Sequence, residues 1–181
     1  MDLVSLLKIV TDKLEKAGIP YMVSGGVAVS YWGYPRTTHD IDIVIEAKKE
    51  DKKKIVDLFK KDFYISSEAA EDAIETRFTF NILHHKTGLK VDFWLVKKDL
   101  FGETEFKRKL RKIIFNKEIF IISPEDLILN KLMAYKETQS HRRLEDAKSI
   151  LKVSKIDLKY IKEWAQKQST INILDSIINN K

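Results

Sequence analysis

The chain has 181 residues, of which 44% are hydrophobic and 33% are charged. This composition is typical of a folded globular protein and excludes a disordered one, and the length allows one core with a small appended segment. The absence of cysteine excludes disulfides, cysteine-ligated zinc and a thiol nucleophile. No apolar run approaches the roughly 20 residues of a membrane span, and the amphipathic N-terminus does not resemble a secretory signal, so we expect a cytoplasmic protein.

The net charge of +6 comes from the second half of the chain. Residues 1–96 contain 14 basic and 15 acidic side chains, whereas residues 97–181 contain 19 basic and 12 acidic ones. A basic half suits a polyanionic partner such as nucleic acid or nucleotide phosphates, although lysine-rich solvation of helices would produce the same excess.

Hydrophobic periodicity predicts alternating helices and strands up to about residue 122. Apolar residues at helical spacing, with glycines as stops, predict helices over residues 2–17, 27–32 and 48–61. Alternation predicts strands over residues 21–24, 40–46, 77–85, 89–96 and 119–122. The segment DIDIVIE, residues 40–46, alternates most strictly, and the short turn at 86–88 predicts a hairpin.

A strong helix start follows at Ser123-Pro124, because serine caps a helix and proline is favoured at its first position. From there the pattern is helical, and the predicted helices cover residues 124–138, 141–152, 156–167 and 170–179. The sequence therefore predicts a mixed α/β core over residues 1–122 and a C-terminal helical segment over residues 123–181.

Two glycines, Gly25 and Gly26, stand between the first predicted strand and the helix that follows it. Glycine lets the backbone approach a ligand closely, and the free N–H groups at a helix start bind phosphate. The same pattern also makes an ordinary turn.

Three aspartates lie in two predicted strands. Asp40 and Asp42 are two residues apart, so their side chains point to one face of the strand, and Asp92 is a lone acid in a second apolar strand. Carboxylates on one face repel one another unless divalent cations lie between them. The alternatives are a solvated acidic edge and an ion pair of Asp92 with Lys90 or a nearby arginine.

Taken together, these residues resemble the DNA polymerase β-type nucleotidyltransferase superfamily. The resemblance covers most of residues 20–150 and rests on a glycine turn, an acid-x-acid strand and a third acid on a later strand. The residues that carry it are Val23, Ser24, Gly25, Gly26, Gly33, Arg36, Thr38, Asp40, Asp42 and Asp92. The Arg-x-Thr-x-Asp-x-Asp form is similar to the minimal and toxin branches, the AbiE-type and MenT-type proteins. The resemblance implies a nucleotidyltransferase fold, with a small mixed sheet flanked by helices.

The resemblance also implies transfer of a nucleoside monophosphate from an NTP to a hydroxyl acceptor, with release of pyrophosphate. It makes Asp40, Asp42 and Asp92 the catalytic and metal-binding residues for two Mg²⁺ ions, or Mn²⁺. Asp40 and Asp42 would bind both ions, and Asp92 would bind the second ion and accept the proton of the attacking hydroxyl.

The nucleotide-binding residues implied by the resemblance are Ser24, Gly25, Gly26, Arg36, Thr38 and Lys131. Arg36 would either contact phosphate or pair with the acids of the strand. Lys131 is predicted on the core side of a helix, where an inward ammonium needs an anion, and either a phosphate or Asp126 or Glu125 would serve.

The helical segment also resembles that branch of the superfamily, through the run from Ser123 to Leu127, then Lys131, Arg142 and Asp146. Arg143 stands where the family pattern usually has an acid. Arg142 and Asp146 are four residues apart and can also form an ordinary helical ion pair.

The acceptor is predicted only by class, as RNA or tRNA, a protein or a small molecule. The basic run at residues 107–112 would suit nucleic acid. The resemblance also allows a toxin–antitoxin component with a cognate partner protein. The alternative is a catalytically weak or inactive, antitoxin-like protein whose role is to bind a partner.

Overall fold

The computed structural model describes residues 1–179, and within them the chain forms nine α-helices and a seven-stranded mixed sheet. The helices are α1 (Leu3–Lys16), α2 (Gly25–Trp32), α3 (Lys52–Phe59), α4 (Ser67–Thr76), α5 (Leu100–Lys107), α6 (Pro124–Thr138), α7 (His141–Val153), α8 (Leu158–Lys167) and α9 (Ile171–Asn179). The strands are β1 (Tyr21–Val23), β2 (Asp40–Ile45), β3 (Phe63–Ile65), β4 (Thr79–His84), β5 (Lys90–Leu95), β6 (Leu110–Ile114) and β7 (Lys117–Ile121). The predicted mixed α/β fold is confirmed.

The chain folds into two compact units. One contains residues 1–27 and 37–121, and the other contains residues 28–36 together with the chain from Ile122 onward. The second unit therefore includes a short segment from the first part of the sequence, which the sequence did not predict. The last two residues of the predicted helical segment, 180 and 181, lie outside the described residues.

In the first unit the sheet has the strand order β3-β4-β5-β2-β1-β7-β6. Strands β2 and β5 lie near its centre and are parallel, with Asp40 opposite Lys90 and Asp42 opposite Asp92. Strand β1 pairs with β2 in the antiparallel sense, which brings the turn after β1 to the start of β2. The predicted hairpin between β4 and β5 is present.

Alternation decides which face of these strands is buried. The inward residues of β2 and β5 are all buried, namely Ile41, Ile43, Ile45, Val91, Phe93 and Leu95. Since side chains alternate along a strand, the remaining residues of both strands point to the opposite face. These are Asp40, Asp42, Val44, Lys90, Asp92 and Trp94. The burial of the apolar face of β2 and β5 thus fixes which side chains lie on the opposite face, where the three aspartates stand.

The structure contains elements that the sequence analysis did not predict. Helix α4 has only a narrow apolar stripe, made of the buried residues Ala70, Ala73 and Ile74. Strand β4 follows it and begins at Thr79 rather than at residue 77. Helix α5 and strands β3 and β6 were also missed. Strand β6 begins within the basic run, where charged residues obscured the alternation.

The second unit contains helices α6 to α9. Helix α6 begins as predicted, with the Ser123 side chain accepting a hydrogen bond from the Asp126 N–H and Pro124 in the first turn. The Trp32 indole N–H donates to the Ile122 carbonyl at 2.9 Å, which ties the segment 28–36 to the start of these helices. Among residues 1–179, no helix combines the length and the apolar character needed to cross a membrane.

Candidate functional site

The turn between β1 and α2 lies directly against Asp42. Gly25 has φ +56°, a left-handed conformation that favours glycine, and a Cβ added to it would stand 1.7 Å from the Asp42 Oδ2 atom. The N–H of Ser24 donates a hydrogen bond to the Asp42 carbonyl at 2.9 Å. Gly26 follows as a buried residue in the first turn of α2. Only a glycine at position 25 therefore lets the turn pack this closely against the acidic strand.

The structure brings the three predicted aspartates together on one face of the sheet. Asp40 and Asp42 project from β2, and Asp92 projects from β5 directly opposite Asp42. All three are partly exposed. Because β2 and β5 are parallel neighbours, the pairing register itself sets this arrangement.

Hydrogen bonds from neighbouring side chains orient the two acids of β2. The Thr38 hydroxyl donates to Asp40 Oδ1 at 3.1 Å, so the residue predicted to bind nucleotide contacts a predicted metal ligand. The Trp94 indole N–H donates to Asp42 Oδ1 at 3.2 Å. Trp94 was not singled out from the sequence, although it lies two residues after Asp92 and alternation places it on the same face.

The acid of β5 is held by a lysine. The Lys90 ammonium lies 2.7 Å from Asp92 Oδ2 and 3.9 Å from Asp40 Oδ2. The hydrogen bond to Asp92 is the main reason why the pKa of Lys90 is raised, since it favours the charged ammonium. The ion pair that the sequence offered as an alternative for Asp92 is therefore present, and it involves Asp40 as well.

The donor chemistry of this face fits a divalent cation. Carboxylate oxygens are the ligands that Mg²⁺ prefers, and the Lys90 ammonium already holds positive charge between two of the carboxylates. As the side chains stand, the described residues 1–179 contain no group of three or more His, Cys, Asp or Glu arranged to hold a metal ion.

In the second unit, Arg36 and Lys131 bind the same carboxylate. Arg36 donates from Nε to Asp146 Oδ1 at 2.7 Å and from a terminal nitrogen to Oδ2 at 3.0 Å, and the Lys131 ammonium lies 2.8 Å from Oδ2. The side chains of Lys131 and Asp146 are each only 4% exposed, and that of Arg36 is 24% exposed. The anion that the structure provides for both cations is Asp146, rather than the acids proposed from the sequence.

Both cations keep Asp146 ionised. Burial raises the pKa of the Asp146 carboxyl, but the hydrogen bonds from Arg36 and Lys131 outweigh it and hold this pKa below its ordinary value. Burial lowers the pKa of Lys131, and the contact with Asp146 offsets part of that effect. We call Arg36, Lys131 and Asp146 the buried ion cluster. Asp146 is its anion, because the two cations share its charge.

Replacing Asp146 with asparagine is expected to destabilise the protein by about 3–5 kcal/mol, because it leaves two cations without their buried counter-charge. Urea unfolding at pH 7 measures this loss. Glu145→Gln is the matched control, since Glu145 is an exposed neighbour paired with Lys148 and is expected to cost less than about 1 kcal/mol. Similar losses in the two variants would contradict the buried ion cluster.

The stability difference between the wild type and Asp146→Asn is expected to depend on pH in one direction. Because the pKa of Asp146 is depressed in the folded state, its contribution is present above the ordinary aspartate pKa of about 3.9 and disappears as the pH falls through the lower folded-state value. The stability difference between the wild type and Asp146→Asn should therefore be constant from pH 5 to 8 and shrink below pH 4. A difference that persists undiminished at pH 2 would show that the carboxylate charge is not its cause.

Two of the four histidines stand at the ends of other elements. His84 ends β4, and its Nδ1 lies 2.9 Å from the Thr87 hydroxyl in the hairpin turn. His141 is the first residue of α7, as predicted.

The family model for aminoglycoside-2''-adenylyltransferase matches residues 6–119, more than half of the chain. The matched segment includes the glycine turn and all three aspartates. The chain belongs to this family. It is a nucleotidyltransferase of the polymerase β-like superfamily, as the sequence resemblance predicted, and its assignment to the AbiE-type or MenT-type branch stays a prediction.

Solved structures show the same fold. An antigenic nucleotidyltransferase-like protein from Paracoccidioides brasiliensis has a TM-score of 0.65 and 15% identity, covering 98% of this chain and 87% of that one. The antibiotic-resistance factor ANT(2'')-Ia has a TM-score of 0.63 and 11% identity, covering 98% of this chain and 97% of that one. The lincosamide antibiotic adenylyltransferase LnuA, bound to lincomycin, has a TM-score of 0.56 and 14% identity, covering 85% and 99%. No curated protein sequence matches the chain.

Proposed function

We propose that this nucleotidyltransferase moves a nucleoside monophosphate from an NTP to a hydroxyl acceptor in a Mg²⁺-dependent reaction. The observation that carries the proposal is the face of β2 and β5, on which three aspartates lie beside a glycine turn packed against Asp42. Acids on one face need cations, and a glycine turn at a helix start offers N–H groups to phosphate. One site thus has donors for both the metal and the triphosphate.

Each of the three aspartates on the face has a role in the proposed reaction. Asp40 and Asp42 would hold two Mg²⁺ ions, which supply charge neutralisation on the phosphates and lower the pKa of the attacking hydroxyl. The acceptor oxygen forms a bond to the α-phosphorus while the bond to the β-phosphate oxygen breaks, and pyrophosphate leaves. Asp92 would accept the hydroxyl proton and help to bind the second ion. Positioning and charge neutralisation account for the catalysis.

The predicted nucleotide-binding residues differ in what they contact in the folded chain. The backbone N–H groups at Gly25 and Gly26 would hold the triphosphate, with the Ser24 hydroxyl beside them. Arg36 and Lys131 both hold Asp146, so their predicted contacts with nucleotide stay predictions, and the buried Lys131 is the better suited of the two to hold Asp146 in place. Thr38 would act through Asp40, whose carboxylate it contacts.

The charge of the chain bears on the acceptor. The excess of basic side chains lies in residues 97–181, whereas residues 1–96, which carry the three aspartates, contain 14 basic and 15 acidic side chains. We propose an acceptor from one of three classes, RNA or tRNA, a protein or a small molecule, and the basic run at residues 107–112 suits the first of them. A toxin–antitoxin role with a cognate partner stays a prediction. The inactive, partner-binding alternative is not favoured, because the family is one of adenylyltransferases and all three acids are present.

Isothermal calorimetry with each of the four NTPs, with and without Mg²⁺, tests the proposal. We expect Mg²⁺-dependent binding of at least one NTP to the wild type and no binding to the Asp40→Asn/Asp42→Asn double variant. Asp57→Asn, which removes an exposed acid paired with Lys60, is the control and should bind like the wild type. If the folded wild type binds no NTP in Mg²⁺, the proposed function is wrong.

A further inference from the structure

One basic side chain, Lys90, lies among the three acids of the proposed metal site. We propose that Lys90 is a built-in counter-ion: its ammonium holds the acidic face together in the metal-free enzyme, and a divalent cation must displace it from Asp92 in order to bind. The inference rests on the proposed function, since it concerns the same metal site.

The strand register gives Lys90 this position. It is the in-register partner of Asp40 on the neighbouring strand and lies two residues before Asp92, so it must project to the acidic face. Its ammonium is 2.7 Å from Asp92 and 3.9 Å from Asp40, and thus serves two acids at once. The strand register thus fixes the face from which the Lys90 side chain projects.

The ammonium and a metal ion would compete for the same oxygen. A divalent cation coordinated by Asp92 Oδ2 would stand close to the Lys90 nitrogen, and two like charges in contact repel strongly. The ion pair must therefore break when the metal binds. The Lys90 side chain is 40% exposed, against 16% for Asp92, so the flexible lysine is the member of the pair that can swing into solvent.

Among the described residues no group of three acids is arranged to hold a metal ion, and the Lys90 ammonium contacts one of the acids instead. Lys90 neutralises part of the charge that the acids share, and its ammonium occupies the Oδ2 atom of Asp92. The lysine thereby lowers the affinity of the free enzyme for metal ions and stabilises the fold when none is present.

Replacing Lys90 with methionine tests the inference without any measurement of catalysis. Electron paramagnetic resonance of Mn²⁺, with the full chain and no nucleotide, should show that Lys90→Met binds the ion about tenfold more tightly than the wild type, a change of the size expected when one close ion pair no longer competes. In a chelator, Lys90→Met should melt at a lower temperature than the wild type, and Mg²⁺ should raise its Tm by more. Lys52→Met, which removes a lysine paired with Glu75 in the same unit, is the control and should leave Mn²⁺ affinity unchanged.

A second variant protects the test against a folding defect. Lys90→Gln keeps a donor for Asp92 but has no charge, so it should fold and still bind Mn²⁺ more tightly than the wild type. If both variants bind Mn²⁺ as the wild type does, or more weakly, Lys90 is not a competing counter-ion. That result leaves the proposed function intact provided that the wild type still binds an NTP with Mg²⁺, whereas a wild type that binds neither ion nor NTP overturns both.

Discussion

Asp42→Asn is expected to lower the rate of nucleotidyl transfer by a factor of about 10³ or more while the protein stays folded. Asp42 lies opposite Asp92 in register and against the glycine turn, so it is the acid that joins the proposed metal site to the proposed phosphate site. An amide has nearly the same shape as a carboxylate but lacks its charge, so it would fit beside Gly25 and still be a poor ligand for Mg²⁺.

The stability of the Asp42→Asn variant shows whether a loss of turnover comes from lost metal binding or from unfolding. Asp42→Asn removes a charge that repels Asp40 and Asp92, and the Trp94 N–H can still donate to the amide oxygen. We therefore expect a Tm equal to that of the wild type or slightly above it in the absence of metal. Pyrophosphate release and the Tm measured on the same preparations check both statements.

Asp57→Asn is again the matched control, because it removes the same group from an exposed position away from the acidic face. Its turnover and its Tm should stay close to those of the wild type. If Asp42→Asn retained turnover within fivefold of the wild type, Asp42 would not be a ligand of the catalytic metal, and the assignment of the three acids would be wrong.

Gly25→Ala is expected to destabilise the protein by about 2–5 kcal/mol and to abolish Mg²⁺-dependent NTP binding. Two separate penalties add at this position. An alanine at φ +56° is strained, and its Cβ would fall 1.7 Å from Asp42 Oδ2 and 2.7 Å from the Asp42 Cβ. Because the second of these contacts is with the root of the side chain, a rotation of the carboxylate alone does not relieve the clash.

The chain contains a control that isolates the first penalty. Gly18 has φ +65°, and a Cβ added there would meet no atom within 4 Å. Gly18→Ala should therefore cost only the backbone strain, about 1–2 kcal/mol, and leave NTP binding unchanged. Urea unfolding and calorimetry of the two variants give the comparison. Equal losses of stability, with NTP binding retained in Gly25→Ala, would mean that the turn can move away from Asp42.

The acidic face and the buried ion cluster manage charge in different ways. Around the three aspartates, a partly exposed lysine can leave when a metal arrives, so the charge balance can change with ligation. Around Asp146, two cations are fixed by a buried carboxylate, and removal of that carboxylate takes the counter-charge from both of them in a poorly solvated place. We therefore expect substitutions at Lys90 to alter metal affinity and substitutions at Asp146 to alter stability.

The sequence by itself determined the parts of this protein that depend on local pattern. The strict alternation of DIDIVIE predicted β2 and the common face of Asp40 and Asp42, because side chains alternate with a period of two along any strand. The serine and proline before residue 125 predicted the start of α6, because capping depends on a few adjacent residues. The glycine turn and the three acids also resembled a known family pattern, and that resemblance predicted the superfamily.

The tertiary structure alone decided which distant residues meet. The parallel register of β2 and β5 put Asp92 opposite Asp42 and Lys90 opposite Asp40, and no local rule relates residues 50 positions apart. In the same way, Arg36 and Lys131 share Asp146, whereas the sequence offered a phosphate or nearby acids as their partners. Pairing of strands and packing of helices are long-range contacts that depend on how whole elements assemble, so the charge partners of this site could be found only in the folded chain.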